Sequence, residues 1–195
     1  MSSSGNPPLW RMLISGCLFE GIWLLCVMAP SSTLIVLFTA ANLLCHLWLF
    51  CRSSAGGGVS HSVLRTLLWL ILVSTLGVAM DSLLFQYGLF QTTDAFSIIP
   101  LWLAMLWVNF ALALRFAFVF LQKNLWLAAL FGLTGGPLSY FIGAEIGGRV
   151  TLAEPLWLSL GLLGFLWAAF LVLMAYWARS RFFRIQHFVN RDLGN

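Results

Sequence analysis

Charged residues are scarce in this sequence, since Asp, Glu, Lys and Arg make up only 8% of its 195 residues. A soluble domain carries about 25% charged residues, and this chain is 61% hydrophobic. So few charges could not cover such an apolar chain in water, whereas lipid makes no such demand. The composition therefore excludes a water-soluble globular domain and predicts an integral membrane protein.

Motifs that carry known chemistry are also lacking. The sequence contains no HExxH, no GxSxG, no P-loop and no histidine cluster with metal-ligand spacing. Its four cysteines form no CxxC pair and lie within or at the end of apolar runs, which is typical of small buried hydrophobes. We therefore predict no metal, no cofactor and no catalytic residue, although the motifs alone leave an enzymatic role open.

Six long apolar stretches are present instead. A helix rises about 1.5 Å per residue, so a hydrocarbon core of about 30 Å needs about 20 residues. The stretches lack the period-two alternation of barrel strands, which favours helices. We predict a single domain over residues 1–195, an all-α six-transmembrane-helix bundle. The predicted spans are 11–29, 32–51, 63–84, 98–121, 124–143 and 156–178.

Basic residues predict the orientation of this bundle. When the chain is threaded through the six spans, nine of its ten Lys and Arg residues fall on one side and only Arg149 on the other. An excess of Lys and Arg marks the cytoplasmic side, so both termini are predicted to be cytoplasmic. The net charge of +4 then reflects topology and not nucleic-acid binding. The nine residues are Arg11, Arg52, Arg65, Arg115, Lys123, Arg179, Arg181, Arg184 and Arg191.

Small residues form two adjacent ridges along the fifth span. Positions four apart stack on one helical ridge, and small residues let neighbouring helices approach closely in a membrane. We therefore place this span at the centre of the bundle. Pro137 cannot donate to the carbonyl of Leu133, so a broken helix that lines a cavity is the alternative. One ridge contains Gly132, Gly136 and Tyr140, and the other contains Gly135, Ser139, Gly143 and Gly147.

Polar residues near the middle of the spans are the first candidate site. Charge near the bilayer centre costs about 3 kcal/mol or more, which makes such residues functional candidates. Glu20 lies mid-way along span one, and Asn42 and His46 share a face of span two. Asn109 and Arg115 lie on span four, Arg115 nearer the cytoplasm. A structural hydrogen-bond network, a proton path and a substrate contact are the alternatives; for Arg115, contact with the inner headgroups is another.

A second candidate group lies toward the outer face. Asp81 closes span three, and Tyr140 and Glu145 lie in the outer part of span five. Neighbouring helices would allow a hydrogen bond between Asp81 and Tyr140, and one helical turn would allow a pair between Glu145 and Arg149. Interface pairing is one interpretation of this group, and a small-molecule or headgroup site is the other.

Three strings in the spans are distinctive: Asp-Ser-Leu-Leu at residues 81–84, Met-Leu-Trp-Val-Asn-Phe at residues 105–110 and Gly-Gly-Pro-Leu-Ser-Tyr at residues 135–140. In these strings the chain resembles an uncharacterised family of small polytopic bacterial inner-membrane proteins. The resemblance implies a multi-pass protein of a bacterial inner membrane, with a link to membrane-lipid metabolism, and it supplies no catalytic residues.

Three functions follow as hypotheses. The first is a non-catalytic accessory or stabilising component linked to membrane lipid or envelope metabolism, with membrane lipids or another membrane protein as partners. The second is a small transporter or lipid-handling protein that uses a break at Pro137 and the mid-span polar residues. The third is an intramembrane enzyme whose outer site contains Asp81, Tyr140 and Glu145. The basic tail, residues 179–195, is expected to contact anionic lipid in each case.

Overall fold

Six α-helices build the part of the chain that the computed structural model describes, residues 9–29, 31–51, 58–92, 98–180 and 183. Most of the predicted basic tail, together with Arg52, lies outside these residues. The helices are α1 (Leu9–Met28), α2 (Ser32–His46), α3 (Gly58–Gln86), α4 (Leu101–Phe116), α5 (Leu125–Gly147) and α6 (Leu156–Ala178). A π-helical turn, Leu47–Cys51, extends α2, and a 3₁₀ segment, Val119–Lys123, follows α4.

Five of these helices are long and apolar enough to cross a membrane, namely α1, α2 with its π-helical turn, α3, α5 and α6. Their length and composition support a multi-pass membrane protein. The remaining helix, α4, is apolar but has 16 residues, which corresponds to about 24 Å of helix.

The predicted fourth span, 98–121, is shorter as a helix in the structure. The N–H groups of Ala117 and Phe118 both donate to the carbonyl of Ala113, at 2.7 and 2.8 Å, so the regular i to i−4 ladder ends there. Gln122 Nε2 donates to the carbonyl of Leu114 at 3.2 Å and satisfies one of the acceptors that the helix end leaves open. The 3₁₀ segment then carries the chain to α5.

The alternative of a helix broken at Pro137 does not occur, because α5 continues as an α-helix from Leu125 to Gly147. The carbonyl of Leu133, which the proline leaves without its helical donor, faces α6. A Cβ placed on Gly164 of α6 would lie 2.9 Å from this carbonyl oxygen. The freed carbonyl is therefore covered by a neighbouring helix and does not line a cavity.

The central helix is α4 and not α5 as predicted. Every residue from Asn109 to Ala117 is buried, whereas the buried residues of α5 are only Ala128, Gly132, Gly136 and Pro137. Small residues bring α5 close to α6 and, at Gly147, to Val27 of α1, and leave much of its surface on the outside of the bundle. Close approach along one ridge therefore does not make a helix central.

Two short strands mark one end of the bundle. The strands β1 (Phe90–Gln91) and β2 (Thr151–Leu152) pair antiparallel and join the α3–α4 connection to the α5–α6 connection. We call this the β end. The opposite end, called the basic end, carries five of the described cationic side chains, while Arg149 follows α5 at the β end. The five are Arg11, Arg65, Arg115, Lys123 and Arg179.

Candidate functional site

A groove of about 370 Å³ lies between α1 and α5, with α4 and α6 behind it. This volume is within the range of about 300–1,000 Å³ that ligand pockets have. The residues of α5 that line the groove run from Phe131 to Gly147, which is about 24 Å along the helix. The groove therefore extends over most of the thickness of a hydrocarbon core of about 30 Å.

The second small-residue ridge of α5 forms one wall of this groove. The three atoms nearest to a Cβ on Gly135 all belong to the Phe131 ring of the same helix, at 3.5 to 3.8 Å, so no other helix is in close contact with Gly135. Nearer the β end, a Cβ on Gly147 would lie 2.8 Å from the carbonyl oxygen of Val27 on α1. Helices α1 and α5 are thus in contact at the β end, and the groove lies between them toward the basic end. All four ridge residues line the groove: Gly135, Ser139, Gly143 and Gly147.

Two stacked indoles form the back wall. The rings of Trp107 on α4 and Trp167 on α6 are 5.2 Å apart and inclined by 14°, a stacked arrangement. Gly77 of α3 lies against Trp107, and Gly136 of α5 lies against Trp167; a Cβ at either glycine would overlap the indole. Four helices are thus stacked in the order Gly77, Trp107, Trp167 and Gly136. Neither glycine position has space for a larger side chain.

Phenylalanines close the groove toward the basic end. The ring of Phe19 on α1 lies 5.8 Å from that of Phe110 on α4 and 6.1 Å from that of Phe118. Phe118 in turn lies 5.5 Å from Phe131 on α5. All four side chains line the groove. The half of the groove nearer the basic end is therefore lined by these four apolar rings.

Asp81 holds two of the groove walls in place. Trp107 Nε1 donates to Asp81 Oδ2 at 2.7 Å, and the Tyr140 hydroxyl donates to Oδ1 and Oδ2 at 2.7 and 2.8 Å. Asp81 is fully buried, at 0% exposure, and does not line the groove, whereas Trp107 and Tyr140 do. The Tyr140 ring also stacks on Phe90 at 4.8 Å. The predicted Asp81–Tyr140 hydrogen bond is confirmed, and its effect is to orient two aromatic walls.

Catalysis at the outer face would need Asp81, Tyr140 and Glu145 in one pocket, and these three do not converge. Glu145 is exposed on α5 and is not among the groove residues. The described residues also contain no group of three His, Cys, Asp or Glu side chains that could hold a metal ion. The arrangement can accordingly bind an apolar molecule, but these three side chains provide no shared site for acid–base chemistry.

A second polar cluster joins α2 to α4 away from the groove. Asn42 Nδ2 donates to Asn109 Oδ1 at 2.8 Å, and Asn109 Nδ2 donates to Thr39 Oγ1 at 2.7 Å and to the carbonyl of Met105 at 2.8 Å. Asn42 and Asn109 are buried and do not line the groove. The structure therefore brings two of the predicted mid-span residues together as a connection between helices.

His46 continues this cluster to α1. Its Nε2 lies 2.8 Å from Ser15 Oγ, and its Nδ1 lies 2.9 Å from the carbonyl oxygen of Asn42. Both His46 and Ser15 are 1% exposed. His46 thus links α1 and α2 and has no access to the groove.

Arg115 is buried inside the basic end and does not extend to headgroups. It is 5% exposed; its Nε donates to Thr66 Oγ1 at 3.1 Å, and its Nη1 donates to the carbonyl of Phe183 at 3.3 Å. These partners belong to α3 and to the segment after α6. Arg115 therefore connects α4 to α3 and to the segment after α6 through these two hydrogen bonds.

Glu20 is separate from both clusters. It is exposed on α1 and lines the groove, and it has no hydrogen-bond or ionic partner among the described residues. The predicted association with Asn42 and Asn109 is therefore absent, because α1 turns Glu20 toward α5 and presents Ser15 to α2.

Trp107 and Gly77 are the site residues that the sequence indicates least clearly. The signal that could have found them is spacing: Gly77 and Asp81 are four apart, so they lie on one ridge of α3. A glycine one turn from a buried carboxyl group leaves room for a large side chain that donates to that group. Thr39 and Asn42 are three residues apart and likewise lie on one side of α2.

One family model matches most of the chain. The model of a family described as a protein of unknown function, DUF2878, matches residues 12–173, and the chain belongs to this family. The expected membership in an uncharacterised family is therefore confirmed. No curated protein matches the chain, and no solved structure matches it.

Proposed function

We propose that this protein is a six-span protein of a bacterial inner membrane whose α1–α5 groove holds an acyl chain of a membrane lipid. In this proposal it is a non-catalytic, lipid-handling component that stabilises or presents a lipid near lipid metabolism. The observation that carries the proposal is the groove itself, which is apolar, long and open sideways between two helices on the outside of the bundle.

The lateral opening follows from two exposed residues. Glu20 of α1 and Leu138 of α5 both line the groove and both are exposed. Glu20 lies about 12 Å along the helix from Met28, and Leu138 lies about 14 Å from Gly147. Exposure at that depth faces the surrounding bilayer, since the helix ends are far away. The molecules that can enter are therefore those dissolved in the bilayer, of which lipid chains are the most abundant.

The sixth span in this proposal is α4. Its 16 residues are fewer than the about 20 that cross a hydrocarbon core, but the 3₁₀ segment Val119–Lys123 extends it toward the basic end. Because α4 is surrounded by other helices, irregular backbone at its end is covered by protein, as membrane proteins require.

The orientation follows from charge. The basic end holds five of the described cationic side chains and the β end holds Arg149. The excess of Lys and Arg on the cytoplasmic side of membrane proteins supports a cytoplasmic basic end. Because α1 begins and α6 ends there, both termini would be cytoplasmic. A periplasm-specific reporter fused after Asn195 should give no signal, and activity there would refute the orientation.

Lipid binding is tested by filling the groove. In Gly135→Phe the new ring enters the groove, which Gly135 lines, whereas in the matched control Gly161→Phe it enters open space on the exposed side of α6, where a Cβ meets nothing within 4 Å. Thermal unfolding is followed in detergent while dioleoylphosphatidylglycerol is added. A ligand at a hundred times its Kd stabilises the folded state by about 2.7 kcal/mol, which corresponds to about 5 °C or more for a chain of this size.

The proposal predicts that wild type and Gly161→Phe gain this stabilisation. Gly135→Phe should unfold near the wild-type temperature without lipid and gain little when lipid is added, because its groove is already occupied. Equal lipid stabilisation of all three proteins would contradict the groove as the binding site.

A further inference from the structure

Glu20 is an unexplained polar group in the groove. It lies about 12 Å from the β-end terminus of α1 and about 16 Å from the other terminus, so it lies near the middle of the membrane. A carboxyl group there costs about 3 kcal/mol or more, and such groups usually pair with another polar group. The described residues provide no such partner: the side chain is exposed, lines the groove and makes no hydrogen bond to them.

The apolar walls of the groove do little to distinguish one lipid from another. Lipid tails are as apolar as the side chains that line the groove, so moving a chain from the bilayer into it gains little from the hydrophobic effect. Discrimination among occupants must therefore come from the polar groups that an occupant can reach. Among the other polar groups in the lining, Tyr140 already donates its hydroxyl hydrogen to Asp81, while the indole N–H groups of Trp102 and Trp167 are buried donors without a partner in the described part of the chain. Ser139 contributes a hydroxyl group, and Glu20 carries the only carboxyl group among the described residues that line the groove.

We infer that the groove selects an amphiphile that carries a hydroxyl group at the depth of Glu20, with its apolar body in the ring-lined space between α1 and α5. This inference rests on the proposed lipid-binding function and specifies its ligand class. A carboxyl group has an acceptor oxygen whether or not it is protonated, so a hydroxyl donor on the ligand pairs with it in both forms.

Two sources provide this chemistry in a bilayer. One is an acyl chain with a hydroxyl group part-way along it, and the other is a ring hydroxyl on a molecule with a long apolar tail. Aromatic side chains from both helices, Phe19 and Trp23 of α1 and Phe131 of α5, line the groove and would contact either body.

The test measures lipid preference by native mass spectrometry of the full chain released from detergent. The first probe pair is 12-hydroxyoctadecanoyl phosphatidylcholine against octadecanoyl phosphatidylcholine at equal concentration. The second pair is 4-dodecylphenol against its methyl ether. One hydrogen bond of ordinary strength corresponds to a preference of up to about tenfold for the hydroxylated member.

Three variants isolate the carboxyl group. Glu20→Leu should remove the preference while total binding of the unmodified lipid stays at the wild-type level. Glu20→Gln keeps an acceptor oxygen and should keep part of the preference. The exchange variant Glu20→Leu/Leu24→Glu moves the carboxyl group one turn to an exposed position outside the groove lining, and it should behave like Glu20→Leu.

Each outcome decides the inference. A preference within either probe pair that depends on Glu20 supports it, and the pair that shows it identifies a chain or a ring hydroxyl. Equal binding within both pairs by wild type overturns the inference and leaves the groove proposal standing. Binding of none of the probes contradicts the proposed function itself. Dissociation of an oligomer in Glu20→Leu would instead assign the carboxyl group to a protein interface and overturn the inference.

Discussion

Glycine has opposite effects on two faces of α5, the one that packs against α6 and the one that lines the groove. On one face, Gly132 and Gly136 bring the backbone against α6: a Cβ on Gly132 would lie 2.7 Å from Ala168 Cα, and one on Gly136 would overlap Trp167. On the other face, Gly135 lines the groove, and the three atoms nearest to a Cβ there belong to Phe131 of α5 itself, at 3.5 Å or more. Glycine therefore closes one face by permitting contact and opens the other by omitting a side chain. Two adjacent residues, Gly135 and Gly136, mark the boundary.

The largest expected effect is on the closed face. Gly136→Leu inserts a side chain into Trp167, which cannot retreat because Trp107 and Gly77 lie behind it. Overpacking typically costs about 1–3 kcal/mol, and this rigid stack should give the upper end of that range or loss of the folded protein. The measurement is the yield and elution profile in detergent beside Gly161→Leu as control. Wild-type yield of Gly136→Leu would refute close packing of this face.

A smaller loss of stability is expected at Asp81, which accepts hydrogen bonds from two residues of the groove wall. Asp81→Leu removes the acceptor for the Trp107 N–H and the Tyr140 hydroxyl, and interhelical hydrogen bonds in membranes contribute about 0.6 kcal/mol on average and up to about 1.7. The free energy of unfolding should fall accordingly, and lipid stabilisation should fall with it because both walls become mobile.

A double-mutant cycle with Tyr140→Phe isolates this contact. Because the two residues share one hydrogen bond, their effects on unfolding free energy should not add. Additive effects would show that the Asp81–Tyr140 contact does not hold the wall.

A similar or smaller loss, without effect on the groove, is expected from the second polar cluster. Asn109→Leu removes hydrogen bonds to Asn42 and Thr39; interhelical hydrogen bonds in membranes contribute about 0.6 kcal/mol on average and up to about 1.7. Unfolding free energy should fall by this amount, while the rise in melting temperature with added lipid stays at the wild-type value. Loss of the lipid response in Asn109→Leu would mean that the two regions are coupled.

Part of this architecture is predictable because it depends on spacing along one helix. The small-residue ridges of α5 follow from the repeat of four, and the final span, 156–178, coincides with α6. The depth of Asp81 and Tyr140 along their helices also follows from counting residues, which is why their hydrogen bond could be anticipated.

The remainder depends on how each helix is rotated about its axis, which spacing within a single helix does not determine. Glu20 and Asn42 have similar depth, but α1 presents Ser15 to α2 and turns Glu20 to the groove. The ridges alone do not say which one meets α6. Pro137 left open whether α5 is broken or packs as a continuous helix; the structure shows a continuous helix in which Gly164 of α6 covers the freed carbonyl.

The open face of α5 is tested most directly by counting lipids that stay bound. Wild type, Gly135→Phe and Gly161→Phe are purified in the same detergent, exchanged through the same wash and weighed intact by native mass spectrometry. The groove account predicts one retained lipid per chain in wild type and Gly161→Phe and none in Gly135→Phe. A retained lipid in all three proteins, or in none, would contradict it.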